Sequence, residues 1–146
     1  MIRKEWGIAP AVFAVDRVTK ILAEGIPPEG TQLIPGVLGL RYVRNTGMAF
    51  SLLSGRPWLL ILLSLAVITG AALVLRHKKI SRLAVIGLAG MLGGAAGNLA
   101  DRIFTGSVPD MIEFLFVRFA VFNAADIGLT LGCALVMIDL LRRDQA

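Results

Sequence analysis

The sequence predicts an all-α membrane protein of four transmembrane helices, with a small extracytoplasmic β element between helices one and two. Three observations predict it. Of 146 residues, 56% are hydrophobic and only 17% charged, against roughly a quarter charged in a soluble domain. The apolar residues gather into runs as long as a bilayer is thick. The basic residues gather into short stretches that alternate with those runs. The chain is read as a single integral-membrane domain over residues 1–146, with approximate spans 6–22, 57–75, 83–101 and 122–141 and the β element at about 30–50.

Taken in order, the first helix is apolar from Trp6 to Val15 and then carries Asp16, Arg17 and Lys20. Its start, Met1-Ile-Arg-Lys4, resembles a secretory signal peptide. Against cleavage, Asp16 and Lys20 stand four apart on one helix face, where they can pair, and no convincing small-x-small site follows; the helix is expected to stay. From Glu24 to Arg56, Gly25, Pro27, Pro28, Gly30, Pro35, Gly36 and Gly39 break helices. Between them Val37–Val43 reads as a strand, and Ser51–Ser54 as a short interfacial turn or helix.

The second helix, Pro57–Leu75, is 19 residues without a charge, and the third, Leu83–Ala100, is 18. Phe119–Ile138 is 20 residues with Asp126 as its only charge. Each reaches the roughly 20 apolar residues that a bilayer core requires. The connection from Phe104 to Phe122 is itself apolar and should lie at the membrane interface. Gly90/Gly94, Gly93/Gly97 and Gly128/Gly132 give the small-xxx-small spacing of closely packed helices. Cys133 on helix four is read as a small inert core residue. One histidine and one cysteine in the whole chain cannot build a zinc cage, so no metal or cofactor is expected.

Orientation follows from the cations. Eight of the fifteen Lys and Arg are Arg3, Lys4, Arg76, Lys78, Lys79, Arg82, Arg142 and Arg143. They flank the N-terminus, the loop between helices two and three, and the C-terminus, which four spans put on one side. That side is the cytoplasm. The basic balance is therefore a topology signal, and nucleic acid is not an expected partner.

Ionisable groups at membrane depth are expensive and default to functional candidates. They form five clusters, all at the outer rim: Asp16–Lys20, Arg44–Phe50, Gly93–Arg102, Val108–Asp110 and Phe122–Asp126. Asp16 has Lys20 and Asp101 has Arg102 as nearby partners, so both are read first as structural pairs. Asp110 and Asp126 have no local cation. Two unclaimed carboxylates from different elements suit a general acid/base pair sharing one proton, although proton carriers also bury carboxylates. A transporter would place its polar residues at the midplane of several helices, and an inert scaffold needs no unclaimed aspartates.

Five motifs in order resemble those of the lipoprotein signal peptidase (signal peptidase II) family of bacterial intramembrane aspartic endopeptidases. They are Val15-Asp-Arg-Val-Thr-Lys20, Arg44-Asn-Thr-Gly-Met-Ala-Phe-Ser51, Gly97-Asn-Leu-Ala-Asp-Arg102, Val108-Pro-Asp110 and Phe122-Asn-Ala-Ala-Asp126, with Leu33–Val37 leading into the second. The resemblance spans nearly the whole chain. It implies four transmembrane helices plus an outer β-cradle, and removal of signal peptides from diacylglyceryl-modified prolipoproteins by cleavage before the lipidated cysteine. It implies Asp110 and Asp126 as the catalytic pair. Asp16, Lys20, Asn45, Gly47, Asn98, Asp101, Arg102 and Asn123 match positions that bind substrate or support the site. The implied setting is the bacterial cytoplasmic (inner) membrane, with both termini cytoplasmic, the site near the outer face, lipid-modified prolipoproteins and membrane lipid as partners, and a monomeric protein. Three departures bear on specificity: Met48 where the family often has a small residue, Pro109 before Asp110, and a short stretch between the aspartates.

Overall fold

The computed structural model describes residues 4–47, 53, 55–76 and 80–144, and among these described residues four α-helices and three strands follow one another. A 3-10 turn at Lys4–Gly7 leads into α1 (Ile8–Ala23), then β1 (Thr31–Ile34), β2 (Leu38–Asn45), α2 (Pro57–Leu75), α3 (Arg82–Thr105), β3 (Val108–Phe114) and α4 (Ala124–Asp144). The expected Ser51–Ser54 turn lies outside the described residues except for Leu53, as does Met48.

The helix ends are written in local chemistry. Pro10 sits in the first turn of α1 and Pro57 opens α2, positions where a missing N–H costs no helical hydrogen bond. Ser81 precedes α3 and its Oγ accepts from Ala84 N–H at 3.0 Å. Gly106 ends α3 at φ +71, a left-handed conformation that stops the helix. Before α4, Asn123 Oδ1 accepts from Asp126 N–H at 3.0 Å, and Asp126 Oδ2 accepts from Asn123 N–H at 3.2 Å. This is a reciprocal capping box.

The helix α3 is the central one, with Ala84, Val85, Leu88, Ala89 and Ala95 buried and α1, α2 and α4 packed around it. Its glycines make that closeness possible. A Cβ on Gly94 would run into the backbone oxygen of Ala125, one on Gly97 into the Asp16 carboxylate, and one on Gly87 would stand 2.6 Å from Gly132 O. The outer faces of α2 and α4 leave Trp58, Leu62, Leu65, Leu131, Met137 and Leu141 exposed. Such apolar faces suit lipid, the only solvent that does not penalise them. The helices α2, α3 and α4 are long and apolar enough to cross a membrane. At 16 residues, with Asp16, Arg17 and Lys20 in its second half, α1 falls short of the expected fourth span by length and composition.

Two expectations are corrected here. The connection after α3 contains a strand: β3 pairs antiparallel with β2, so the sheet has order β1-β2-β3 and draws on two separate connections. An apolar run without strict alternation hides that strand, and Pro109 argues against one; Pro109 is tolerated because β3 is an edge. Cys133 is exposed on α4 and is not a core residue. A helix apolar all round carries no sign of which face meets its neighbours.

Candidate active site

The sheet brings Asn45 to the end of β2, where its register partner is Val108 and that of Val43 is Asp110. The chain then leaves β3, and Phe122 returns to it: Ile112 N–H donates to Phe122 O at 2.8 Å and Phe122 N–H to Ile112 O at 2.9 Å. Phe114, Phe119 and Phe122 pack there with ring centroids 5.3–6.0 Å apart. This closure sets Asn123 and the start of α4 directly beside Asp110.

Asn123 is wholly buried, and its Nδ2 donates to Asp110 Oδ1 at 2.6 Å and to Asn98 Oδ1 at 3.2 Å. Asn45 Nδ2 donates to Asp110 Oδ2 at 2.9 Å, while Asn45 Oδ1 accepts from Gly47 N–H at 2.8 Å. Asn98 Nδ2 donates to Asp126 Oδ1 at 2.8 Å. The two aspartates thus receive hydrogen bonds on all four oxygens, from three asparagine side chains and one backbone amide. Neither forms an ion pair among the described residues. Burial lifts the Asp110 pKa to about 6; the Asp126 carboxylate adds to the rise, and the bonds from Asn45 and Asn123 oppose it.

Beneath this layer lies a neutral cluster of four charges. Lys20 Nζ donates to Asp16 Oδ2 at 2.8 Å, to Asp101 Oδ2 at 2.7 Å and to Asn98 Oδ1 at 2.9 Å. Arg17 grips Asp101 with both terminal nitrogens, at 2.6 and 2.7 Å, and reaches Asp16 at 2.9 Å. Asp16 Oδ1 accepts from Ala125 N–H at 3.1 Å, tying α1 to the first turn of α4. Here the expected pairing of Asp101 with Arg102 is corrected. Adjacent residues on a helix do not face each other, and Arg102 turns instead to the backbone oxygens of Asn98 (3.3 Å) and Gly47 (3.2 Å). The pairing of Asp16 with Lys20 is as expected.

All ten residues singled out from the sequence therefore meet at one end of the bundle. Arg17 is not among them, although a cation inside an apolar helix and beside Asp16 carries the signal. The dyad opens on a cavity of about 580 Å³, whose wall includes Leu60, Leu63, Ser64, Val67, Leu129 and Thr130 along α2 and α4 and Phe119–Phe122 above. No sequence signal marks the Ser64 and Thr130 positions, because small hydroxyls are common on apolar helices.

Fold and site together define a class: a helical membrane protein that turns two carboxylates from different elements, Asp110 buried and Asp126 half-buried, toward a largely apolar cavity. The chain belongs to the signal peptidase II family. The family described as "Signal peptidase (SPase) II" matches residues 8–142. The lipoprotein signal peptidase of Thermosynechococcus vestitus is 40% identical over 136 residues, covering 87% of this chain and 84% of that protein. That of Desulfitobacterium hafniense is 40% identical over 147 residues, covering 96% and 94%. Two solved bacterial membrane enzymes superpose with TM-scores of 0.87 and 0.83, at 28% and 30% identity. Each match covers 94% of this chain, and 87% and 92% of the respective structure.

Proposed function

We propose that this protein is a lipoprotein signal peptidase of the bacterial cytoplasmic membrane. It cleaves diacylglyceryl-modified prolipoproteins before the lipidated cysteine, with Asp110 and Asp126 as a one-proton catalytic pair. The observation that carries this reading is the dyad itself: a buried and a half-buried carboxylate held by asparagine donors, without an ion pair among the described residues, at the mouth of an apolar cavity. Family membership supports the peptidase activity and the substrate class.

One carboxylate takes a proton from water, whose oxygen attacks the scissile carbonyl carbon. The protonated partner donates to the carbonyl oxygen, giving a gem-diol. Proton transfer to the amide nitrogen then breaks the C–N bond, and the shared proton returns to the pair. Asp110 at about 6 lies where a carboxyl can serve in either form near neutral pH. Asn45, Asn98 and Asn123 hold the carboxylates, Gly47 and Arg102 shape the outer edge, and Asp16, Lys20 and Asp101 form the layer that supports them. The cavity wall on α2 and α4 suits an apolar, lipid-bearing substrate. We place α1 as the fourth span, with both termini cytoplasmic, the sheet at the outer face, and the protein working as a monomer in membrane lipid.

The test is cleavage of a lipid-modified lipobox peptide by the purified protein. Wild type cleaves it; Asp110→Asn and Asp126→Asn each lose cleavage, and the double variant loses no more, since both residues serve one step. The pH profile is bell-shaped with limbs belonging to the pair. Substantial cleavage by either single variant, or inhibition by a chelator, overturns the mechanism.

A further inference from the structure

We infer that Lys20 is a positioning residue for this reaction: its ammonium fixes which end of the Asn98 amide faces Asp126, and so keeps Asp126 Oδ1 a hydrogen-bond acceptor. The inference rests on the peptidase reading above. It starts from donor and acceptor counts. A lysine ammonium has three N–H donors and no acceptor. Lys20 is 4% exposed, and its three donors go to Asp16, Asp101 and Asn98. The Asn98 atom that meets it at 2.9 Å must be the oxygen, which leaves the NH2 for Asp126 Oδ1 at 2.8 Å.

A second pin agrees with the first. Asn123 Oδ1 is committed to Asp126 N–H, so Asn123 also turns its NH2 toward Asn98 Oδ1, at the longer distance of 3.2 Å. Without Lys20 that contact alone orients Asn98. A flipped Asn98 presents an oxygen to Asp126 Oδ1, and the two acceptors can then be reconciled only by a proton between them. Lys20 thereby disfavours a proton on the Asn98 side of Asp126, although it touches neither water nor scissile bond. The charged groups that bear on Asp126 are Lys20 from α1, Arg102 from α3 and Asp110 from β3; the described part of α2 carries none.

Removing Lys20 alone leaves the cluster with surplus negative charge, so the test keeps it neutral: Lys20→Met together with Asp16→Asn, whose new amide oxygen can still accept from Ala125 N–H. With Arg17 still gripping Asp101, the folded double variant is expected to lose about tenfold or more in kcat on a lipid-modified lipobox peptide, with KM changed less than about twofold. The acid limb of its pH profile moves to higher pH, because an anion with a weaker donor binds its proton more tightly. A structural brace would lower the melting temperature without moving that limb. A folded double variant with the wild-type kcat and acid limb overturns the inference. Should it fail to fold, Asn98→Leu decides: it keeps the size of the side chain, adds no charge, and removes the donor to Asp126 Oδ1. An acid limb shifted up supports the inference, and an unmoved limb overturns it. Wild type runs in the same assay. If wild type is inactive, the peptidase reading fails and this inference falls with it; if it is active and the variants match it, only the inference fails.

Discussion

At the residue scale the dyad and its supports differ in what they do for stability. Asp110 folds into a site that raises its pKa to about 6, above the ordinary value of 3.8. The folded state therefore holds that proton more tightly than the unfolded chain, and stability falls as pH rises from about 4 through about 6, the loss being complete above it. Asp110→Asn removes the titration. Its melting temperature relative to wild type should rise across that window and then level off; a difference that stays constant from about pH 4 to 7.5 contradicts the shift. Asp101, 5% exposed, is held instead by ion pairs with both Arg17 and Lys20. Asp101→Asn leaves the buried Lys20 and the half-buried Arg17 undercompensated, at a cost of roughly 3–5 kcal/mol, or a drop on the order of 10 °C in a chain this size. Lost cleavage with an unchanged melting temperature would instead make Asp101 a participant in the chemistry.

At the scale of elements, α3 is the piece that everything else is fitted to. Gly97 lies where α1 crosses it, with the Asp16 carboxylate in the space a methyl group would take. Gly97→Ala should cost about 1–3 kcal/mol by overpacking and disturb the Asp16–Lys20 pair with it. Gly70 on α2 is the control, since a Cβ there meets nothing within 4 Å. Gly70→Ala should be neutral or stabilise by up to about 1 kcal/mol through helix propensity. Thermal unfolding in detergent reads both; equal effects from the two substitutions would refute the packing argument. The sheet matters for a different reason. Its third strand follows α3, so pairing of β2 with β3 and the Ile112–Phe122 bridge bring Asn45, Asp110 and Asn123 together from distant parts of the chain.

At the scale of the whole molecule, polarity is divided between two ends. At the end opposite the dyad, Arg82 pairs with Glu5 and Arg143 with Asp139, each at 2.8 Å, and Ser81 donates to Asp139. That end also gathers Lys4, Arg76, Arg82, Arg142 and Arg143, which predicts that it stays in the cytoplasm while the sheet lies outside. In a Cys133→Ala background, a cysteine at Glu29 should react with an impermeant reagent in intact cells and one at Arg76 should not. Labelling at Arg76 with none at Glu29 would invert the topology.

The amino-acid sequence by itself determined the apolar runs that became α2, α3 and α4, the distribution of basic residues, and which polar residues matter. All of these are properties of composition and order: an apolar run needs no partner to seek lipid, and a charge inside one is costly wherever the helix packs. The small-residue spacing likewise announced close helix contact, and Gly87, Gly94 and Gly97 show where it occurs. Only the tertiary structure decided who pairs with whom. Neighbours on a helix point about 100° apart, so Asp101 could not be matched with Arg102 by adjacency, and its partners Arg17 and Lys20 came from α1, far earlier in the chain. The third strand was hidden because pairing is a property of two segments and not of one. Cys133 faced outward because a helix apolar all round offers no preferred side until a neighbour takes one. The asparagine amides were settled last of all: an amide can donate or accept at either end, and a lysine and two backbone N–H groups, brought near by the fold, removed that choice.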